Sequence, residues 1–181
     1  MKSKSCAFVA LALAAAVAAC EKKSPAEPTA QPTRFVFNAT LTSANEVPPI
    51  ANAEAGAAGT ATITMTVTRD GAGEITGGTI DFQVNLTNFP VSATPTIAHI
   101  HEAAAGSNGP IRVNTGLAAG QVTIAANGTG SFTRSIPSGT AWDANIARAL
   151  IANPAGFYFN VHTSLNPGGV VRGQMSLTSS S

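Results

Sequence analysis

Thr60-Ala61-Thr62-Ile63-Thr64-Met65-Thr66-Val67-Thr68 sets a small or apolar residue at every second position and a threonine between each. Successive side chains of an extended strand point to opposite faces, so this run predicts a strand with one dry and one wet face. The same period continues outward from it. Phe35, Phe37, Ala39 and Leu41 alternate with Val36, Asn38 and Thr40, and Phe82, Val84 and Leu86 alternate with Asp81, Gln83 and Asn85. Val122 and Ile124, then Phe132 and Ile136, read as two further strands around the turn Ala126-Asn127-Gly128. Glycine-rich breaks at Asp70-Gly71, Gly77-Gly78, Gly106 to Gly109 and Gly168-Gly169 separate or kink the strands. One segment departs from the period. Trp142, Ile146 and Leu150 recur every four residues and predict a short helix facing the sheet, with Thr140 as N-cap, Asp143 near the free amides and Asn153-Pro154 as its stop. The expected architecture is all-β: a Greek-key β-sandwich or flattened barrel of about eight strands with one short helix.

The N-terminal residues read differently. Lys2 and Lys4 precede an apolar run, Ala7 to Ala19, that is short for a permanent membrane helix and ends in Val17-Ala18-Ala19-Cys20. Small residues before a cysteine are the pattern of a bacterial lipoprotein signal. Residues 1–19 are therefore expected to be a signal peptide, with lipid carried on Cys20. Residues 20–33 hold three prolines and no large apolar side chain, and read as a tether. Cys6 lies inside the signal, so the mature chain is expected to have neither a free thiol nor a disulfide. Glu21 follows the cysteine where an aspartate often marks inner-membrane retention, which favours the outer membrane. The expected location is the bacterial cell envelope, on the periplasmic or surface side, with the membrane as partner through the lipid.

Residues 34–181 are the size of one domain. All four lysines precede it, and its six arginines face seven acids. Without a basic face, nucleic acid is not an expected partner.

All three histidines of the chain fall in two strand-like motifs, Ala98-His99-Ile100-His101 and Asn160-Val161-His162-Thr163. Alternation puts His99 and His101 on the face opposite Ala98 and Ile100, with Cα atoms about 6.6–6.8 Å apart. It puts Tyr158, Asn160 and His162 opposite Phe157, Phe159 and Val161. In the last strand Val171, Met175 and Leu177 read as dry and Arg172 and Gln174 as wet. The three histidines and Arg172 are thus expected to project outward, away from the core. Three imidazoles suit Zn, Cu, Ni or Fe, and His99, His101 and His162 are the candidate ligands. A polar surface patch is the competing reading of the same residues. Tyr158 and Asn160 share the His162 face and are candidate supports for the ligands. The turn Gly106 to Gly109 is expected to shape the rim beside His101, and Asn45 to Pro49 to form a rigid loop.

Several of these motifs together resemble a known family. Asn45-Glu46-Val47-Pro48-Pro49, Ala98-His99-Ile100-His101 with Ala105-Gly106-Ser107-Asn108-Gly109-Pro110, Gly156 to Thr163, Asn166-Pro167-Gly168-Gly169 and Arg172-Gly173-Gln174 look like the CHRD (chordin) domain. The resemblance covers about Phe35 to Leu177. It implies an exported or extracellular module and no particular activity. Val170 stands where the family commonly has a glutamate, so any role of that acid is missing from that position. A weaker resemblance is chemical. His-x-His on one strand, Val-His on a later one and Gly-x-x-Arg before the last are similar to the copper site of Cu/Zn superoxide dismutase. That resemblance implies copper ligation by His99, His101 and His162 and an anion-guiding role for Arg172. The bridging and zinc-site histidines and the disulfide have no counterparts here.

Other chemistries find little support. No Gly-x-Ser-x-Gly elbow is present, and Asp70, Asp81 and Asp143 are scattered over turn, strand and helix start. Three functions follow in order of expectation. The first is a metal-binding envelope lipoprotein, copper favoured over zinc, serving storage, delivery or protection. The second is a metal-free module that binds another envelope protein. The third, well behind, is an enzyme that processes superoxide.

Overall fold

The computed structural model describes Gln31 and residues 33–181. The expected signal peptide, the lipidated Cys20 and nearly all of the tether lie outside the described residues. Among the described residues nine strands and one α-helix follow in chain order: β1 (Arg34–Thr42), β2 (Ala58–Arg69), β3 (Ile75–Thr87), β4 (Pro95–Glu102), β5 (Ile111–Asn114), β6 (Gly130–Pro137), α1 (Ala144–Ala152), β7 (Phe157–Thr163), β8 (Val171–Gln174) and β9 (Ser176–Ser180). The strands form one antiparallel sheet in the order β5-β4-β7-β8-β1-β2-β3-β6, with β9 also on β1. Phe82 of β3 and Phe159 of β7 lie four strands apart along this order, yet their rings meet at 5.8 Å. The sheet therefore curls on itself into a half-barrel, and the expected all-β sandwich with one short helix is what the chain forms.

Alternation explains most of the strands. In β2, Ala61, Ile63, Met65 and Val67 are buried while Thr60, Thr66 and Thr68 are exposed. Phe35, Phe37, Ala39 and Leu41 fill the core from β1, and Phe82, Val84 and Leu86 fill it from β3. The β1–β2 register sets Phe37 opposite Ile63 and Ala39 opposite Ala61, so a slip by one residue would turn every one of these side chains outward.

Three expectations need correction. The N-cap of α1 is Asp143 rather than Thr140: its carboxylate accepts from the amides of Asn145 and Ile146. Trp142 precedes the helix, where its indole donates to the Ile136 carbonyl (3.0 Å), and Ala147 and Leu150 are the buried helical side chains. Val122 and Ile124 are buried but form no strand, because the segment is tied by turns such as Ala125 N to Thr129 O and joins no ladder. Leu177 pairs with Phe37 and so takes the dry side as read, but it is 39% exposed rather than buried.

What positions the candidate site is the central run of the sheet. On β4–β7–β8 the cross-strand partners are His99–Asn160–Arg172 in one row and His101–Tyr158–Gln174 in the next, with His162 opposite Ile97. Every residue of β7 is buried. Its Phe157, Phe159 and Val161 point into the apolar core, and its Tyr158, Asn160 and His162 point to a second, polar interior. Two chain segments cover that second face: the strap between β1 and β2, residues 43–57, and the loop 103–110 after β4. Among the described residues no helix is long and apolar enough to cross a membrane.

Candidate metal centre

His99 and His101 stand on β4 and His162 on β7, all facing away from the phenylalanine core as alternation requires. They do not project into solvent. Their exposures are 3%, 8% and 5%, and Arg172 is 3% exposed. The outward reading is corrected here: the strap and the 103–110 loop close over this face, which strand parity cannot show.

One candidate nitrogen from each histidine lies within 4.8 Å of the other two. The ring centroids are 5.1 Å (His99–His162), 5.5 Å (His99–His101) and 6.0 Å (His101–His162) apart. His99 Nδ1 is 3.3 Å from His162 Nε2. A tetrahedral ion about 2.0–2.1 Å from each imidazole nitrogen holds its ligands about 3.3–3.4 Å apart, so this edge already has the required length.

Hydrogen bonds fix which nitrogens are offered. His101 Nδ1 is 3.0 Å from the Gly109 carbonyl, and His162 Nδ1 is 2.9 Å from the Pro167 carbonyl. A carbonyl only accepts, so both Nδ1 atoms carry the proton and both Nε2 atoms are unprotonated, that of His162 turned to His99 Nδ1. His101 Nε2 is buried with no hydrogen-bond partner. A ligand imidazole whose other nitrogen donates to a backbone carbonyl is the usual arrangement around a bound metal.

Burial is also the first cause of the electrostatics. It lowers the pKa of all three rings, His99 to about 4, and for His99 the neighbouring His162 and His101 lower it further. For His101 and His162 the carbonyl bonds to Gly109 and Pro167 oppose the lowering, while Arg172 acts with it on His101 and His101 acts with it on His162. The neutral imidazole, which is the ligand form, is therefore favoured at neutral pH.

Around the rings the polar interior is dense. Tyr158 stacks on His101 (4.8 Å, 5° between planes), and the Arg172 guanidinium lies 4.8 Å from the centroid of the Tyr158 ring. The Gly109 amide donates to the Tyr158 hydroxyl (3.3 Å). Arg172 donates to the carbonyls of Asn45 and Ser107 and to Asn108 Oδ1. Its Nε is 3.9 Å from Glu46 Oε2, both side chains being buried. Burial raises the Glu46 pKa to about 7, with Arg172 pulling the other way. Glu46 Oε1, Asn160 Oδ1 and Arg172 Nη2 are buried without partners. Gly169 (φ +129°) lies against Asn160 and Glu46, where a Cβ would come within 2.9 Å of both side chains.

Sequence reasoning selected the three histidines, Tyr158, Asn160 and Arg172, and the structure brings all six to one buried face. The Gly106 to Gly109 turn lies beside His101 as expected. What that reasoning missed is the acidic side. Glu46 meets Arg172, and Glu54, 2% exposed, accepts from Thr163 Oγ1 (2.6 Å) and from Asn166 Nδ2. Neither acid has a periodic signal. The one available signal for Glu46 was its place in the motif Asn45 to Pro49. The position taken by Val170 offers no acid, and Val170 is fully buried.

Neither a search of curated proteins nor a search of solved structures returned a match. A family model described as the CHRD domain matches residues 37–175, which takes in both histidine motifs, the strap and Arg172. The chain belongs to the CHRD-domain family.

Proposed function

We propose that the domain binds one transition-metal ion through His99 Nδ1, His101 Nε2 and His162 Nε2. The observation that carries this reading is the buried, partnerless His101 Nε2 beside a His99–His162 nitrogen pair at 3.3 Å. Three close, buried and neutral imidazoles have little structural use by themselves, since a buried polar atom without a partner costs about 1–3 kcal/mol. Copper is favoured. The donor set is all nitrogen without thiolate, and copper(II) stands above zinc in affinity for such sites. The role proposed is storage, delivery or protection, and no reaction is assigned. With all three histidines already in the cluster, the chain has none left to bridge to a second ion.

The setting proposed is the bacterial envelope, lipid-anchored through Cys20 and favouring the outer membrane. The leader pattern up to Cys20 supports it, and family membership supports an extracellular or envelope module. Lipid labelling in cells should be present in the native chain and lost in Cys20→Ser.

The test of the metal reading is metal content. The purified full chain, loaded with Cu(II) or Zn(II) and freed of excess, should carry one ion by mass spectrometry. His99→Ala and His162→Ala should each lower that content at least tenfold. Family membership taken alone equally supports a metal-free interaction module. That reading predicts no retained metal, and an envelope partner, captured by crosslinking, that persists after all three histidines are replaced.

A further inference from the structure

The strap, residues 43–57, lies outside the sheet, yet it bonds to both loops that supply carbonyls to the histidines, by a backbone carbonyl to one and by side chains to the other. At one end, the Val47 carbonyl accepts from Asn108 Nδ2 (3.0 Å), and Asn108 immediately precedes Gly109. Asn108 Oδ1 also accepts from Arg172 Nη1 (2.8 Å), while Arg172 and Asn45 exchange two bonds through their backbone oxygens. At the other end, Asn52 Nδ2 donates to Asn166 Oδ1 (2.8 Å), and Glu54 Oε2 accepts from both Thr163 Oγ1 and Asn166 Nδ2. Asn166 immediately precedes Pro167, and its amide donates to Thr163 Oγ1 (3.1 Å). The two carbonyls that bind His101 and His162 are each one residue from a strap contact.

Glu54 is the telling residue. Its buried carboxylate is held by a hydroxyl and an amide rather than by a cation. Burying such a group is expensive, and an apolar residue would serve packing better. What the carboxylate does is fix the 163–167 turn, because one oxygen gathers the side chains of two turn residues.

We propose that the strap is a clamp that presets the metal site: through Glu54 and Asn108 it holds the Pro167 and Gly109 carbonyls where they keep His162 and His101 as Nδ1–H tautomers. The proposal rests on the metal-site reading and makes Glu54 and Asn108 positioning residues for it. Neither touches a histidine. Each acts through one loop on one ring, so their effects separate.

The experiment reads tautomers in the metal-stripped full chain with ¹⁵N-labelled histidine, by long-range proton–nitrogen NMR at pH 7.5. The wild type shows His101 and His162 each in the single Nδ1–H form. Glu54→Ala mixes the tautomers of His162 and spares His101, while Asn108→Ala does the reverse. Each lowers affinity for Zn(II), measured by chelator competition, by about 10–100-fold. Glu54→Gln, whose amide oxygen still accepts, recovers most of the loss. Asn108 is exposed, so its variant keeps the fold and decides the matter alone if Glu54→Ala does not fold. The clamp is overturned if His101 keeps its single tautomer in Asn108→Ala, or if both rings change alike in either variant. A wild type with locked tautomers but no Zn(II) binding upholds the clamp and removes the metal reading, so the two failures are distinct.

Discussion

Strands β2 and β7 have nearly the same alternating grammar and opposite outcomes. In β2 the threonine face meets water, and the strand alternates between buried and half-buried or exposed residues along its length. In β7 the polar face carries Tyr158, Asn160 and His162 and is as buried as the phenylalanine face. The difference lies in what covers them. Among the described residues nothing packs over Thr60, Thr66 and Thr68, whereas the strap and the 103–110 loop lie over β7 and its neighbours. Alternation therefore sorts side chains between two faces, but only distant chain decides whether a face is surface or interior.

The two halves of the sheet meet in the apolar core. Phe159 of β7 and Phe82 of β3 share the core, and Phe159→Ala should destabilise the domain by about 3–5 kcal/mol in urea unfolding. A much smaller loss would mean that the two halves are not packed as one core. On the polar side, Arg172→Ala leaves the Glu46 carboxylate buried without its cation, and a loss of about 3–5 kcal/mol is expected where Glu46 is ionised. With a Glu46 pKa of about 7 in the folded chain, that loss should be larger at pH 8 than at pH 6, because protonation relieves the buried charge. An equal loss at both pH values would contradict the burial of that pair.

Acid should act on the β7 face and leave the β2 face alone. His99 titrates near 4 when folded against an ordinary 6.5. Between those values the unfolded chain binds more protons, so this stabilisation is complete above about pH 6.5 and fades as pH falls through 4, with a size on the order of 3 kcal/mol. His101 and His162 act in the same direction. Glu46 acts in the opposite one. Its folded pKa of about 7 exceeds the ordinary 4.5, so its contribution is complete below pH 4.5 and fades as pH rises through 7. Glu46→Gln removes that offset and should steepen the loss of metal-free stability between pH 6.5 and 4.5. The smallest effect belongs to the wet face: Thr66→Ser should change stability by no more than about 0.5 kcal/mol, at any of these pH values.

The legible part of the molecule was the part with a period. The core faces of β1, β2 and β3 follow from alternation alone, as do the side of the sheet taken by His99, His101, His162 and Arg172. Two local features misled. Thr140 and Asp143 are both competent caps, and the backbone chose the one after Trp142, whose indole is engaged by Ile136. Val122 and Ile124 alternate like a strand but are pinned in turns. The site's walls were illegible for a different reason. Asn45 to Arg172 and Glu54 to Asn166 are pairings across most of the chain, and single acids and amides in loops carry no periodicity from which to infer them.

Three imidazoles of one buried face are proposed to hold one ion. Pulsed electron paramagnetic resonance of the Cu(II)-loaded chain, with the histidines ¹⁵N-labelled, counts those ligands directly. Three coupled histidine nitrogens, falling to two in His101→Ala, are the predicted result. Copper that shows one histidine or none, or a count unchanged by His101→Ala, would contradict the account.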